Sequence, residues 1–125
     1  MSITVILAIA VAGGLGAMAR FALDSVISAS SRARIPVGTL AINVSGSFLL
    51  GLATGLLLGK LISVDMLAVA GTGFLGGYTT FSTASTQTVD LIRAGHYIDA
   101  AVYASGMLLG SVAAAAAGLW LATLL

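Results

Sequence analysis

GTGFLGGYTTFSTASTQT, residues 71–88, is the one stretch of this apolar chain that undermines its own helix. Gly71, Gly73, Gly76 and Gly77 each disfavour helix by about 1 kcal/mol relative to Ala, and the β-branched pair Thr79 and Thr80 follows directly. A break near residues 76–80 is therefore expected. In water such a break would be a loop, but apolar sequence flanks it at residues 66–75 and 89–92, which puts it at membrane depth. Non-helical backbone is tolerated there only where protein buries it or where it lines a cavity, and carbonyls freed at such a break can hold a cation. Function is expected at this stretch.

The remainder of the chain supports a membrane setting. Its composition is 59% hydrophobic and 7% charged, where a soluble domain carries about 25% charged residues. At a rise of about 1.5 Å per residue, about 20 residues cross a bilayer core of about 30 Å. Four spans fit into one all-α transmembrane domain covering residues 1–125: residues 3–23, 37–59, a broken third span at 64–93, and 98–124. Both termini then lie on the same side. The first segment lacks a basic leader and an A-x-A site, so it reads as a retained span rather than a signal peptide. Without cysteine there is neither a disulfide framework nor a thiolate metal site. The net charge of +1 says nothing for nucleic acid, and none is expected as a partner.

Charges sit at the connections. Residues 24–36 hold Arg32 and Arg34, Lys60 stands in the second connection, and Arg93 precedes the third. Pro36 suits the first position of the second helix, and Gly95 suits the C-cap after Arg93. Arg32, Arg34 and Arg93, with Arg20 arguable, outweigh Lys60 only slightly, so insertion in both directions is expected. Ser47, Gly51, Gly55 and Gly59 on the second span, and Gly106, Gly110, Ala114 and Gly118 on the fourth, form small-residue stripes that let helix backbones approach closely in lipid.

Each polar side chain within a span requires a partner or a function. Thr39, Asn43 and Ser47 share one face of the second span. Thr39 and Ser47 can bond to their own helix, but the Asn43 amide has two donors and an acceptor that one helix rarely satisfies, which points to a pore or an interface. Arg20 either snorkels to the interface or draws anions to a vestibule. Tyr103, Met107 and Ser111 share a face of the fourth span. Ser82, Thr83, Ser85, Thr86 and Thr88 place hydroxyls around most of a short helix, so at least one face is expected to meet a polar pore or a partner subunit. Phe81, at the head of that helix, either fills a core or offers its electropositive ring edge to an anion. The lone His96 has no catalytic partner at a recognisable spacing and no nucleotide motif is present, so no enzyme is expected.

Over nearly its whole length the chain resembles the Fluc (CrcB) family of fluoride channels. The resemblance rests on Gly16 with Arg20, on G-T-L-x-x-N-x-x-G from Gly38 through Asn43 to Gly46, and on TGFLGGYTTFST at residues 72–83. It implies passive export of fluoride across the cell membrane through an antiparallel, dual-topology dimer with two fluoride paths and a central structural sodium ion. Carried over by position, the carbonyls of Gly76 and Thr79 would hold the sodium, two from each subunit. Asn43, Phe81, Ser82, Thr83, Tyr103 and Ser111 would line the anion paths, with Arg20 and Thr39 nearer a vestibule.

The chemistry of the residues agrees. One protomer of four thin helices is too small to surround a polar path. A path for tightly hydrated fluoride must replace water with neutral donors and aromatic edges, because a fixed cation at the midplane would hold the ion too tightly. Ala84 stands where the family commonly has a second Phe, Gln87 where it has Glu, and Met107 where it has a hydroxyl. These departures make a non-conducting or complementary subunit of a heterodimeric channel the alternative. A small multidrug or guanidinium exporter would need a membrane-embedded carboxylate, and this chain has no Glu.

Overall fold

Ser2 and Ser63 open helices by accepting first-turn N–H groups, from Val5 at 3.3 Å and Met66 at 3.1 Å. The computed structural model describes residues 1–125, and every regular element in it is helical. In chain order these are α1 (Ile3–Ser30), α2 (Val37–Leu58), α3 (Val64–Leu67), a π-helical stretch (Ala68–Leu75), α4 (Gly76–Tyr78), α5 (Ser82–Arg93) and α6 (Tyr97–Ala122). Helices α1, α2 and α6, with 28, 22 and 26 residues, are long and apolar enough to cross a membrane. Their large apolar side chains, Leu7, Val11, Met18, Leu108 and Val112 among them, point outward rather than into a core. This is a membrane protein whose surface matches a hydrocarbon solvent.

Helix α1 continues through residues 24–30, past the span end expected at residue 23. The polar residues there do not interrupt it because they bond within it. Ser25 Oγ donates to the Phe21 carbonyl at 2.8 Å, and Ser28 Oγ donates to Asp24 Oδ1 at 3.2 Å. Asp24 thus lies in a helix and not in a connection. Pro36 is the N-cap of α2, one residue before the position expected for it. After α5, Gly95 takes φ +81, and the N–H groups of Gly95 and His96 bond the carbonyls of Ile92 and Leu91 at 3.0 and 2.9 Å. This Schellman closure needs the left-handed conformation that glycine adopts without strain.

Two close backbone contacts set the packing. Helices α2 and α6 lie against each other, where a Cβ at Gly51 would strike the Ala115 carbonyl and one at Gly118 would strike the Phe48 carbonyl. Gly106, in the expected stripe of α6, instead faces open space. Helix α1 lies against the π-helical stretch and α4 in the same manner: a Cβ at Gly16 would strike the Phe74 carbonyl, and one at Gly77 the Gly13 carbonyl. Gly77 is therefore a contact surface for α1 as well as a weak helix former.

Two small apolar clusters join these layers. Ile42, Leu75 and Tyr78 tie α2 to the segments before Thr79, while Leu91, Ala100 and Tyr103 tie α5 to α6. Arg34 Nη1 donates to Asp99 Oδ2 at 2.9 Å, pinning the first connection to the start of α6. Being exposed, that pair contributes about 0.2–1 kcal/mol.

Candidate functional site

Helical structure stops at Tyr78 and resumes at Ser82. Between them Thr79 is extended, with φ −84 and ψ 161, and both its N–H and its Oγ1 donate to the Leu75 carbonyl at 2.9 Å. The next residue is held from across the molecule. Thr80 N–H donates to Asn43 Oδ1 at 2.8 Å, and Asn43 Nδ2 donates to the Thr80 carbonyl at 2.7 Å. The pair fixes the orientation of the amide, since the flipped form would set donor against donor and acceptor against acceptor. The second Asn43 N–H meets Met107 Sδ at 3.3 Å. Thr80 Oγ1 accepts the Thr83 N–H at 3.2 Å. Neither the Gly76 nor the Thr79 carbonyl accepts a hydrogen bond.

This segment borders an open groove of about 920 Å³. The groove brings together six residues selected from the sequence: Asn43, Gly76, Thr79, Phe81, Tyr103 and Ser111. Ala84 and Met107 line it as well, and Phe81 stands at it 87% exposed. Ser82 and Thr83 lie outside the groove. Ser82 is exposed, its Oγ 3.4 Å from Thr80 Oγ1, and Thr83 borders a second cavity of about 40 Å³ together with Arg20, Asp24 and Thr39. Arg20 and Thr39 thus line the same small cavity. Arg20 Nε is buried without a hydrogen-bond partner, and its guanidinium carbon lies 5.1 Å from the Phe21 ring centroid.

Three of the five hydroxyls of α5 bond back along their own helix. Ser85, Thr86 and Thr88 donate to the carbonyls of Phe81, Ser82 and Ala84 at 2.9, 2.9 and 2.8 Å. Those three are satisfied within their own helix, and Ser85 and Thr88 line the groove as well. Two participants were not selected from the sequence. Thr80 is one, marked in the sequence only as half of the β-branched pair at the break. Gln87 is the other: it accepts the Tyr103 hydroxyl at 2.7 Å, and the only sequence signal for it was a departure from the family residue.

Comparison with known proteins agrees on one family. The model for "CrcB-like protein, Camphor Resistance (CrcB)" matches residues 7–119. The chain is 50% identical over 121 residues to the fluoride-specific ion channel FluC 1 of Leifsonia xyli subsp. xyli, covering 97% of this chain and 88% of that one. It is 46% identical over 112 residues to FluC 2 of Cutibacterium acnes, another fluoride-specific ion channel, covering 89% and 91% of the two chains. It is 42% identical over 115 residues to FluC 2 of Geobacillus kaustophilus, of the same description, covering 91% and 89%. With a family match across most of its length and relatives this similar, the chain belongs to the CrcB family.

Proposed function

We propose that this chain is the subunit of a fluoride-selective channel in the cell membrane, conducting fluoride passively outward and performing no enzymatic chemistry. The observation that carries this reading is the groove that gathers Asn43, Phe81, Tyr103 and Ser111 beside the break at Thr79. One chain leaves that groove open on its face, and a second chain in antiparallel orientation would cover it and make two symmetry-related paths. The slight Lys/Arg bias permits such opposed insertion. Within this reading residues 64–93 form a broken third span between α2 and α6.

The anion paths run along Phe81, Ser82, Thr83, Tyr103 and Ser111, past Asn43 on the groove wall. Fluoride entering loses water and gains hydroxyl donors and aromatic ring edges, none of which binds tightly enough to trap it. Arg20 and Thr39 serve a vestibule, where the unpaired Arg20 Nε supplies a donor and a positive charge.

The carbonyls of Gly76 and Thr79 suit a structural sodium ion, because both lack hydrogen bonds and hard neutral oxygens are the donors such a cation favours. When bound, that ion would supply positive charge next to the paths without a side-chain cation. The decisive experiment is fluoride efflux from liposomes containing only the purified chain. Efflux selective for fluoride over chloride supports the reading, and absence of fluoride efflux removes self-sufficient conduction.

Ala84 and Met107 favour a second reading, in which this chain is one half of a heterodimeric channel. Both line the groove, and the thioether engages the Asn43 amide where a hydroxyl would offer a donor. Efflux that requires co-expression with a homologous subunit would select this reading over the homodimer.

A further inference from the structure

We infer that Asn43 and Thr80 are positioning residues that create the cation site, each by removing the one N–H that would close a helical bond onto a proposed ligand carbonyl. A continuous helix donates from residue i to the carbonyl of residue i−4. The Thr80 N–H would then belong to Gly76, and the Thr83 N–H to Thr79. Asn43 Oδ1 captures the first at 2.8 Å, and Thr80 Oγ1 captures the second at 3.2 Å. The Gly76 and Thr79 carbonyls, both left without hydrogen bonds, are the two that the family motif marks as sodium ligands, while the neighbouring Gly77 carbonyl, also without a hydrogen bond, lies outside that pair.

The same geometry defines what Asn43 does on the groove wall. Its acceptor is engaged by Thr80 N–H, one donor by the Thr80 carbonyl, and the other by Met107 Sδ. An amide offers only two N–H groups, so none is left to face an anion. Asn43 is buried and borders the groove, but it acts on the backbone at the break and not on fluoride. Its place on helix α2, and not on the broken segment itself, lets a regular helix dictate the shape of an irregular one.

The inference rests on the proposed cation site, and its test separates the two. Asn43 is the only asparagine, so asparagine-selective ¹⁵N labelling of the full chain in detergent gives one side-chain NH₂ pair. Replacing sodium by N-methyl-D-glucamine is expected to shift that pair, whereas adding fluoride in sodium leaves it in place. In parallel, thermal unfolding is followed against sodium concentration for the native chain, Asn43→Leu, Thr80→Val and Thr54→Val. Asn43→Leu and Thr80→Val are expected to raise the half-effective sodium concentration at least tenfold. Thr54→Val removes a comparable hydroxyl bond, to the Leu50 carbonyl at 2.8 Å, far from the break, and is expected to keep the native value. Native sodium dependence retained in both site variants would overturn the inference alone. No sodium effect on the native chain, in unfolding or in the spectrum, would overturn the cation site and the inference with it. If a site variant does not fold, the native spectrum decides, since a shift with fluoride and none with sodium would make Asn43 an anion ligand.

Discussion

The Tyr103 hydroxyl donates to Gln87 Oε1 at 2.7 Å, joining α6 to α5 along the wall of the groove. Tyr103 is 1% exposed, so water does not compete for its hydroxyl. Its proton is turned toward α5. Removing one partner leaves the other unsatisfied, at a cost of about 1–3 kcal/mol. Tyr103→Phe and Gln87→Leu are therefore expected to lower stability by that amount in detergent unfolding. Gln87→Glu, whose side chain still accepts the bond, is expected to stay near the native value. Native stability in Gln87→Leu would show the bond to be incidental.

Phe81 is 87% exposed, so its ring packs into no core of this chain. Phe81→Ile keeps an apolar side chain and removes the ring edge. Unfolding stability is expected to change by no more than about 0.5 kcal/mol, as for other surface positions. Fluoride efflux from liposomes is expected to fall by about tenfold or more, a barrier increase of about 1.4 kcal/mol. Unaltered efflux would take Phe81 out of the path.

Ala84 and Met107 both border the groove, so restoring the commoner family residues places new groups where an ion would pass. One hydrogen bond to a charged group is worth about 1.5–3 kcal/mol, which is roughly ten- to a hundred-fold in rate when it falls on the barrier. The double variant Ala84→Phe/Met107→Ser is expected to conduct faster than the unmodified chain by a factor of that order. Equal and rapid efflux from both would make these two positions neutral and the homodimer complete.

Close backbone contact between helices predicts a graded glycine series. Gly118→Ala places a methyl against the Phe48 carbonyl, and Gly16→Ala places one against Phe74, whereas Gly106→Ala meets nothing within 4 Å. The first two are expected to lose about 1–3 kcal/mol through overpacking. Gly106→Ala is expected to be neutral or slightly stabilising in the single chain, because alanine favours helix. Its effect in the assembled protein, read by crosslinking, reports whether that open face meets a partner.

Opposed insertion is checked by single cysteines placed at Ser31 and at Leu61, on the first and second connections. In a dual-topology population each cysteine is expected to react with an impermeant thiol reagent from both sides of the membrane. Labelling of each site from one side only would leave a parallel arrangement.

Sequence alone determined the membrane setting and the three long apolar helices, because hydrophobicity and helix length are local and additive along the chain, although α1 runs to Ser30, past the end expected at residue 23. It also marked six of the residues that the groove brings together, mostly because a polar side chain within an apolar span is conspicuous wherever it points. It could not assign partners. That Ser85, Thr86 and Thr88 bond back to their own helix, that Gly77 receives the backbone of α1, and that the amide of Asn43 grips Thr80 were all decided by packing. Asn43 and Thr80 lie 37 residues apart. Only the docking of α2 beside the segment after Tyr78 brings the amide within 2.8 Å of that N–H. A hydrogen bond between distant residues depends on a geometry that every intervening element helps to set, and no local pattern encodes it.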